Sequence, residues 1–201
     1  MEAPGSLPFQ NDGTKPSIAI RVPADGSHVG LGKTIAADYE CTDATSGPAS
    51  CVGSVADGAA IDTAAVGTHT FTVNASDNAG NTQTKTVSYD VVYNVFSGFL
   101  APLAKPKDQK AGSTIPVKFR LDTDFGLGIL PAGYPQSRPV SCSTGAPLGP
   151  ATPTSSDTGL TFQIDHYEYA WKTNTTWSGT CRELIVKLDD NTVHTATISF
   201  K

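Results

Sequence analysis

Residues 114–121, TIPVKFRL, alternate between apolar side chains and side chains of other kinds. The apolar set shares one face of an extended chain and consists of Ile115, Val117, Phe119 and Leu121. Strict alternation of this kind predicts a β-strand that buries one face and leaves the other on the surface. Pro116 lies on the outer face with Lys118. Because proline cannot donate a ladder hydrogen bond, the strand is expected at a sheet edge or at a bulge.

The same two-residue period of apolar side chains recurs on both sides of this strand. It covers residues 18–22, 35–41, 69–75 and 85–93 before the strand, and 160–164, 167–171, 184–188 and 194–200 after it. DNAGN (77–81) and DDNT (189–192) have the composition of hairpin turns, since Asn and Gly tolerate positive φ. Short alternating strands separated by such turns are typical of β-sandwiches. The chain is therefore predicted to be all-β and of the β-sandwich type.

The alternation breaks between residues 94 and 112, which places a domain boundary near Tyr93. We expect an N-terminal tail or linker at 1–14, a first domain at 15–93 and a second domain at 94–201. FSGFLAPL (96–103) is too apolar for a free linker, so it is predicted to be the first strand of the second domain. The opening MEAPGSLPFQNDG lacks the basic and then apolar pattern of a signal peptide. The chain is therefore expected to be a piece of a longer exported precursor.

Composition excludes several classes of function. Of the 201 residues, 38% are hydrophobic and 16% charged, and the formal net charge is −5. The 14 Lys and Arg are dispersed, whereas binding to a nucleic-acid backbone needs clustered cations, so no nucleic-acid partner is expected. No apolar run approaches the roughly 18 residues of a membrane span. The oligomeric state is left open.

Four cysteines occur as two local pairs, Cys41 with Cys51 and Cys142 with Cys181. Four cysteines permit three connectivities, of which pairing within each half is the simplest. A four-thiolate metal site is disfavoured because no C-x-x-C knuckle occurs. An even cysteine count in a Gly- and Thr-rich β chain predicts disulfides and an extracellular location. Cys181 has the wrong parity for the row that begins at Leu184, which predicts a bulge or the strand start between them.

The aromatic residues offer a candidate binding surface. Tyr167, Tyr169 and Trp171 share one face of a strand, where they would form either a flat platform for sugar stacking or the inward row of a central strand. The inward row is favoured, since aromatic residues prefer half-buried sheet positions. Trp177, in the loop TNTTWSG, is the better candidate for an exposed ligand-contacting aromatic, although packing at a sandwich corner is favoured for it too.

Lys118 is a candidate for a covalent crosslink, and five aspartates are candidates for a calcium site. A lysine that crosslinks to an asparagine must be desolvated, but the alternation points Lys118 towards solvent or a neighbouring module, so no crosslink is expected. Calcium prefers carboxylates on loop tips, and five aspartates lie in or near turns: Asp12, Asp25, Asp43, Asp77 and Asp90. They form no D-x-D-x-D run, so turn formation is the favoured explanation, and no metal or other cofactor is expected.

No catalytic arrangement is recognisable in the sequence. His69 and His194 fall in apolar rows, and no G-x-S-x-G elbow is present. The adjacent Asp189 and Asp190 belong to a hairpin turn and do not form a glycosidase pair. We therefore expect no enzymatic activity.

Two family resemblances follow from longer phrases. Residues 15–93 resemble the bacterial immunoglobulin-like repeats, through CTDATSGPASC, AAIDTAAVGTHTFTVNASDNAGN and TKTVSYDVVY. Residues 94–201 resemble the PxKF module, whose Pro-x-Lys-Phe signature corresponds to Pro116, Lys118 and Phe119. AGSTIPVKFRL, Cys142 and YAWKTNTTWSGTCRELIVKLDDNTVHTA carry that resemblance further. Together the two resemblances imply an all-β chain of two tandem immunoglobulin-like β-sandwiches. The second implies a C-terminal appendage of a bacterial extracellular protein and implies no activity.

The functional expectation is a non-catalytic structural spacer or anchoring module that displays or docks other domains. Its partners would be protein domains of the same precursor or of the cell surface. Two alternatives remain open: an accessory module that binds carbohydrate or cell wall, and a surface unit that assembles with copies of itself.

Overall fold

A computed structural model describes residues 12–104 and 108–201 of the chain. The chain divides into two compact units, of which the first ends at Val91 and the second begins at Val92. Most of the predicted tail at 1–14 lies outside the described residues. Among the helices that are described, none is long and apolar enough to cross a membrane.

The first unit consists of two sheets that share one core. Its strands are β1 (Ser17–Val22), β2 (Ser27–Gly30), β3 (Asp38–Thr42), β4 (Pro48–Gly53), β5 (Gly67–Asp77) and β6 (Thr82–Val92). One sheet pairs β1 with β3, and the other has the order β2-β6-β5-β4. Apolar side chains from both sheets pack into a single cluster that includes Tyr39, Phe71 and Tyr89. These residues belong to the rows that the two-residue period predicts to face inward.

The second unit repeats this arrangement with different strand lengths. Its strands are β7 (Thr114–Phe119), β8 (Gln136–Val140), β9 (Thr152–Pro153), β10 (Leu160–Phe162), β11 (Tyr167–Lys172), β12 (Cys181–Lys187) and β13 (Val193–Ser199). One sheet has the order β10-β11-β7 and the other the order β13-β12-β8-β9. Trp171 of the first sheet contacts Phe200 near the end of the second, with ring centroids 6.1 Å apart. The predicted all-β class with two β-sandwiches is confirmed.

TIPVKFRL behaves as its alternation predicts. Ile115, Val117 and Phe119 are buried, while Lys118 on the other face is only partly buried. The strand β7 is the last in its sheet and pairs along one side with β11, where Pro116 lies opposite Ala170. The edge position predicted from Pro116 is therefore confirmed.

The prediction that FSGFLAPL forms a strand is wrong. Only Phe99 makes an isolated bridge, to Phe119, and the chain turns at 101–104. Gly98 adopts φ of +88°, which takes the backbone out of the extended conformation. The apolar side chains of the segment instead contribute to packing: Phe96 stacks on the ring of His194 at a centroid distance of 3.5 Å.

Each unit contains one disulfide, with the pairing that proximity in sequence predicts. Cys41 of β3 joins Cys51 of β4, which links the two sheets of the first unit. Cys142 joins Cys181, which links the ends of the neighbouring strands β8 and β12 within one sheet.

The bulge or later strand start predicted between Cys181 and Leu184 is absent. The strand β12 begins at Cys181 itself, and its register with β13 is continuous through both residues. Cys181 and Leu184 are three positions apart in a continuous strand, so Cys181 lies on the opposite face of the sheet from Leu184. Both residues are nevertheless buried, and Cys181 is bonded there to Cys142.

Removing the disulfide of the second unit (Cys142→Ser with Cys181→Ser) should lower its free energy of unfolding by about 4 kcal/mol. The reason is that the bond closes a sequence separation of 39 residues in the unfolded chain. Both tryptophans, Trp171 and Trp177, lie in this unit. Urea unfolding followed by tryptophan fluorescence therefore measures the effect.

The matched control is Cys41→Ser with Cys51→Ser, which opens a separation of only 10 residues in the first unit. Its expected cost is about 3 kcal/mol, detected by far-ultraviolet circular dichroism, with the tryptophan-detected transition left in place. A tryptophan-detected transition that moves equally in both double variants would contradict the assignment of one independent constraint to each unit.

The two faces of β7 should differ sharply in their tolerance of truncation. Val117→Ala removes fully buried methyl groups and should cost about 2 kcal/mol. Lys118→Ala removes a partly exposed ion pair with Glu168 and should cost less than about 1 kcal/mol. Chemical denaturation of the two variants measures both values, and equal costs would show that the outer face has a structural role beyond this ion pair.

Candidate functional site

A cleft of about 350 Å³ opens in the second unit beside the end of β11. The strand β9 and the loop after it form one wall, and the turn that contains Trp177 forms another. The residues that line the cleft include Ser137, Thr154, Trp171, Asn174 and Trp177. The volume lies in the range of small-ligand sites, which is about 300–1,000 Å³.

Trp177 is held at the cleft by a short 3-10 turn, Thr175–Trp177. Asn174 caps this turn, since its side chain accepts hydrogen bonds from the backbone N–H of Thr176 and from the Thr176 hydroxyl, both at 2.9 Å. The indole of Trp177 packs near Trp171 and Phe200, at centroid distances of 5.9 Å and 5.6 Å. It is therefore a half-buried corner residue, as the sequence analysis favoured.

Arg182 covers one face of the Trp177 indole. Its guanidinium carbon lies 4.0 Å from the ring centroid, which is a cation–π geometry. The guanidinium also donates to the hydroxyl and the backbone carbonyl of Ser137. Burial lowers the pKa of Arg182 from its ordinary value, although an arginine stays charged at physiological pH. One face of the indole is thus already occupied by the protein.

The remaining polar groups of the cleft are hydroxyls, amides and the ammonium of Lys172, which forms an ion pair with Asp157. Thr154 donates to the carbonyl of Pro135 or to the hydroxyl of Tyr169, both at 2.9 Å, so this group is already engaged. In contrast, the indole N–H of Trp171 is buried and has no hydrogen-bond partner among the described residues. Because Trp171 is completely inaccessible, a ligand oxygen reaches this donor only if the wall of the cleft shifts.

The flat platform weighed for Tyr167, Tyr169 and Trp171 is wrong. All three side chains are buried, and Tyr167 and Trp171 are completely inaccessible. Tyr167 packs against Phe119 and donates its hydroxyl to Asp124, and burial is the main cause that raises its pKa to about 12. The row is the inward face of β11, as parity favoured.

A series of hydrogen-bonded polar side chains lies in the hairpin after β12. Its residue types resemble those of a catalytic triad, but its geometry differs. Thr192 donates to the buried Asp190 at 2.6 Å and lies 3.0 Å from Nε2 of His194. The acid therefore accepts from the hydroxyl and not from the imidazole, which is the reverse of a Ser-His-Asp arrangement. Asp190 also accepts from the backbone N–H of Tyr93, and burial lowers the pKa of His194. These contacts fix the hairpin.

Lys118 lies on the outer face of β7, opposite Glu168 of β11. Its ammonium is 3.2 Å from the Glu168 carboxylate, and both side chains are about one-third exposed. A partly solvated, ion-paired lysine is not the desolvated amine that a crosslink needs. The signature residues Pro116, Lys118 and Phe119 thus provide an edge position, a surface ion pair and a core side chain.

Sequence reasoning singled out Trp177 and Trp171 but missed the other residues at the cleft. Arg182, Thr154 and Ser137 carry no local motif. They meet only because β8, β9 and β12 are neighbours in one sheet. The loop phrase TNTTWSG contained the capping residue Asn174, which an N-cap preference would have identified.

Comparison with known proteins gives no family. No family model matches the chain, and no curated protein matches it. Solved structures do show similarity. The fibronectin(III)-like modules of Clostridium thermocellum CbhA share 16% identity over 92% of this chain and 94% of theirs, with a TM-score of 0.33.

Two other solved structures are similar over most of the chain. SGBP-B of the Bacteroides ovatus mixed-linkage glucan utilization locus, in complex with a mixed-linkage heptasaccharide, shares 11% identity over 94% of this chain and 48% of its own, with a TM-score of 0.27. The tandem Ig repeats of Dlar share 9% identity over 93% of this chain and 98% of theirs, with a TM-score of 0.22. Similarities this distant carry no argument about function.

Trp177→Ala should destabilise the second unit by about 2–3 kcal/mol. A buried Trp→Ala substitution costs about 3–5 kcal/mol, and Trp177 is only half-buried. Trp177→Phe keeps an aromatic ring against Arg182 and should cost less than about 1.5 kcal/mol. Urea unfolding, followed by the fluorescence of Trp171, compares the two. A Trp177→Ala variant as stable as the wild type would show that the corner packing contributes nothing.

Proposed function

We propose that the chain is a non-catalytic extracellular module that supports, spaces or docks other domains of a secreted or surface protein. The observation that carries the proposal is the self-sufficiency of each unit: each has two sheets, its own apolar core and its own disulfide. Disulfides persist in oxidising compartments, which supports an extracellular location.

The polar side chains of the described residues support the same proposal. Several carboxylates are engaged in contacts that fix turns and strand edges. Asp57 accepts from the backbone N–H of Tyr39, and Asp25 accepts from that of Ser88. Asp190 holds the last hairpin. Side chains committed to backbone groups in this way serve architecture.

The proposal also includes a family for each of the two units. Sequence stretches such as VGTHTFTVNASDNAGN support the proposal that the first unit is a bacterial immunoglobulin-like repeat. The stretch AGSTIPVKFRL supports the proposal that the second unit is a PxKF module. The proposed partners are domains of the same precursor or of the cell surface.

A structural module should resist proteolysis without binding a ligand. The oxidised chain is expected to survive a protease concentration that degrades the reduced chain, because the disulfides restrict unfolding. In parallel, the chain should pass through columns of cellulose, chitin and peptidoglycan with the same retention as serum albumin. Specific retention on one of these polymers, or turnover of a glycan, would contradict the structural proposal.

A second candidate function, binding of a neutral glycan, is favoured by the cleft at Trp177. The cleft combines the half-buried indole of Trp177 with a wall of hydroxyl and amide groups, beside the ammonium of Lys172. Sugars offer hydroxyl oxygens for such groups and apolar ring faces for an aromatic side chain. Arg182 covers one face of Trp177, so stacking would be limited to the other face or to the edge.

This second function predicts retention that depends on Trp177. Trp177→Ala should abolish it, Trp177→Phe should largely preserve it, and Lys118→Ala on the outer face of β7 should leave it unchanged. Retention on a polysaccharide column, with circular dichroism to confirm folding, is the measurement. Retention that survives Trp177→Ala would exclude this cleft as the binding site.

A further inference from the structure

Three aspartates from separate segments meet at one end of the first unit. Asp12 precedes β1, Asp43 lies in the loop between β3 and β4, and Asp77 ends β5. One carboxylate oxygen from each lies within 4.8 Å of one from each of the others. The hairpin that follows Asp77 is at the opposite end of β5 and β6 from Val91, so the cluster is far from where the chain leaves this unit.

Turn formation accounts for one oxygen of each carboxylate. Oδ1 of Asp12 accepts from the backbone N–H of Thr14 at 2.8 Å. Oδ1 of Asp43 accepts from three successive N–H groups, those of residues 45–47. Oδ1 of Asp77 accepts from the N–H groups of residues 79 and 81, both at 2.9 Å. These bonds explain why aspartate occupies each position, but they leave the other oxygens to be explained.

The second oxygens of Asp12 and Asp43 have no hydrogen-bond partner within residues 12–104 and 108–201, although both atoms are buried. Asp12 as a whole residue is only 9% exposed. An aspartate carboxyl is ordinarily ionised at neutral pH. A buried, ionised oxygen without a donor is unfavourable unless a cation compensates it.

The protein supplies no such cation in its described part. None of the ion pairs formed there by Lys, Arg or His includes Asp12, Asp43 or Asp77. Two further donors at the cluster in the described part are neutral: the Ser46 hydroxyl, which donates to Oδ1 of Asp43 at 3.3 Å, and the side chain of Asn81. The amide nitrogen of Asn81 donates to Oδ2 of Asp77 at 2.8 Å and to the backbone carbonyl of Asp12 at 2.9 Å. Asn81 thus holds the segments together without neutralising their charge.

The chemistry of the cluster selects calcium over other metals. All three ligands are carboxylates, and hard oxygen ligands favour Ca²⁺ or Mg²⁺ over zinc or copper. Two oxygens bound to one Ca²⁺ at about 2.3–2.6 Å can lie up to roughly 5 Å apart, which suits the observed spacing. Mg²⁺, with ligands at about 2.0–2.1 Å in strict octahedral geometry, needs a tighter arrangement.

We propose that Asp12, Asp43 and Asp77 bind a calcium ion that ties the segment before β1 to the two loops at this end of the first unit. This proposal is independent of the structural function and of the glycan cleft. It assigns to three of the five turn aspartates a role that the sequence analysis had disfavoured. The other two are used elsewhere: Asp25 accepts from the N–H of Ser88, and Asp90 accepts from the hydroxyl of Thr68.

Calorimetric titration of the EDTA-treated, desalted full chain with CaCl₂ tests the site. Extracellular calcium modules bind with dissociation constants of about 0.1–1 mM, so the titration should extend to about 5 mM. We expect saturable binding and a rise in the thermal midpoint with calcium. Asp12→Asn and Asp43→Asn should each weaken binding by about tenfold or more. Asparagine keeps an oxygen acceptor for the turn, so these variants retain the local hydrogen bonds.

The matched control is Asp90→Asn, which removes one carboxylate of the same unit outside the cluster and should bind calcium like the wild type. Circular dichroism checks the fold of each variant, and Asp12→Asn, which alters no loop between strands, is the safer of the two. The proposal is overturned if the wild type shows neither saturable heat nor a thermal shift. Unchanged affinity in folded Asp12→Asn and Asp43→Asn, or equal affinity for Mg²⁺, would overturn it as well.

Discussion

Burial of alternate side chains between two thin sheets is the constraint on which both units depend. A strand of two to eleven residues cannot hide its own backbone or side chains, so each must place every second side chain against a facing sheet. Phe71 and Val87 meet this demand in the first unit, and Val117 and Trp171 meet it in the second. The remaining positions face water, which leaves special chemistry to the loops and strand ends.

This division explains which features were predictable from the sequence. The alternation of the sequence alone places Lys118 and Val117 on different faces of the sheet, because successive side chains of a strand point to opposite faces. It fails where the backbone stops being extended, as at Gly98, whose positive φ turns the apolar segment 96–103 away from strand geometry. It is also silent on which face a cysteine uses, so the opposite parity of Cys181 was interpreted as a bulge.

The candidate sites were harder to predict because they depend on which segments become neighbours. Trp177 stood out from its loop, but Arg182 and Ser137 reach it only through the order of strands in one sheet. Asp12 and Asp77 are likewise far apart in sequence, and each has a sufficient local explanation as a turn residue. Only the closed sandwich places their carboxylates within reach of a common ion. Local patterns therefore predict the fold well and the convergence of loops poorly.

Hydrogen exchange of individual backbone amides, measured by nuclear magnetic resonance, tests the central claim most directly. Strands paired on both sides and covered by a facing sheet should exchange slowest, namely β5 and β6 in the first unit and β8, β11 and β12 in the second. Residues 142–151, which lie between strands, should exchange fastest of the described interior segments. Protection in β5 or β12 no greater than in residues 142–151 would contradict the two-sheet arrangement.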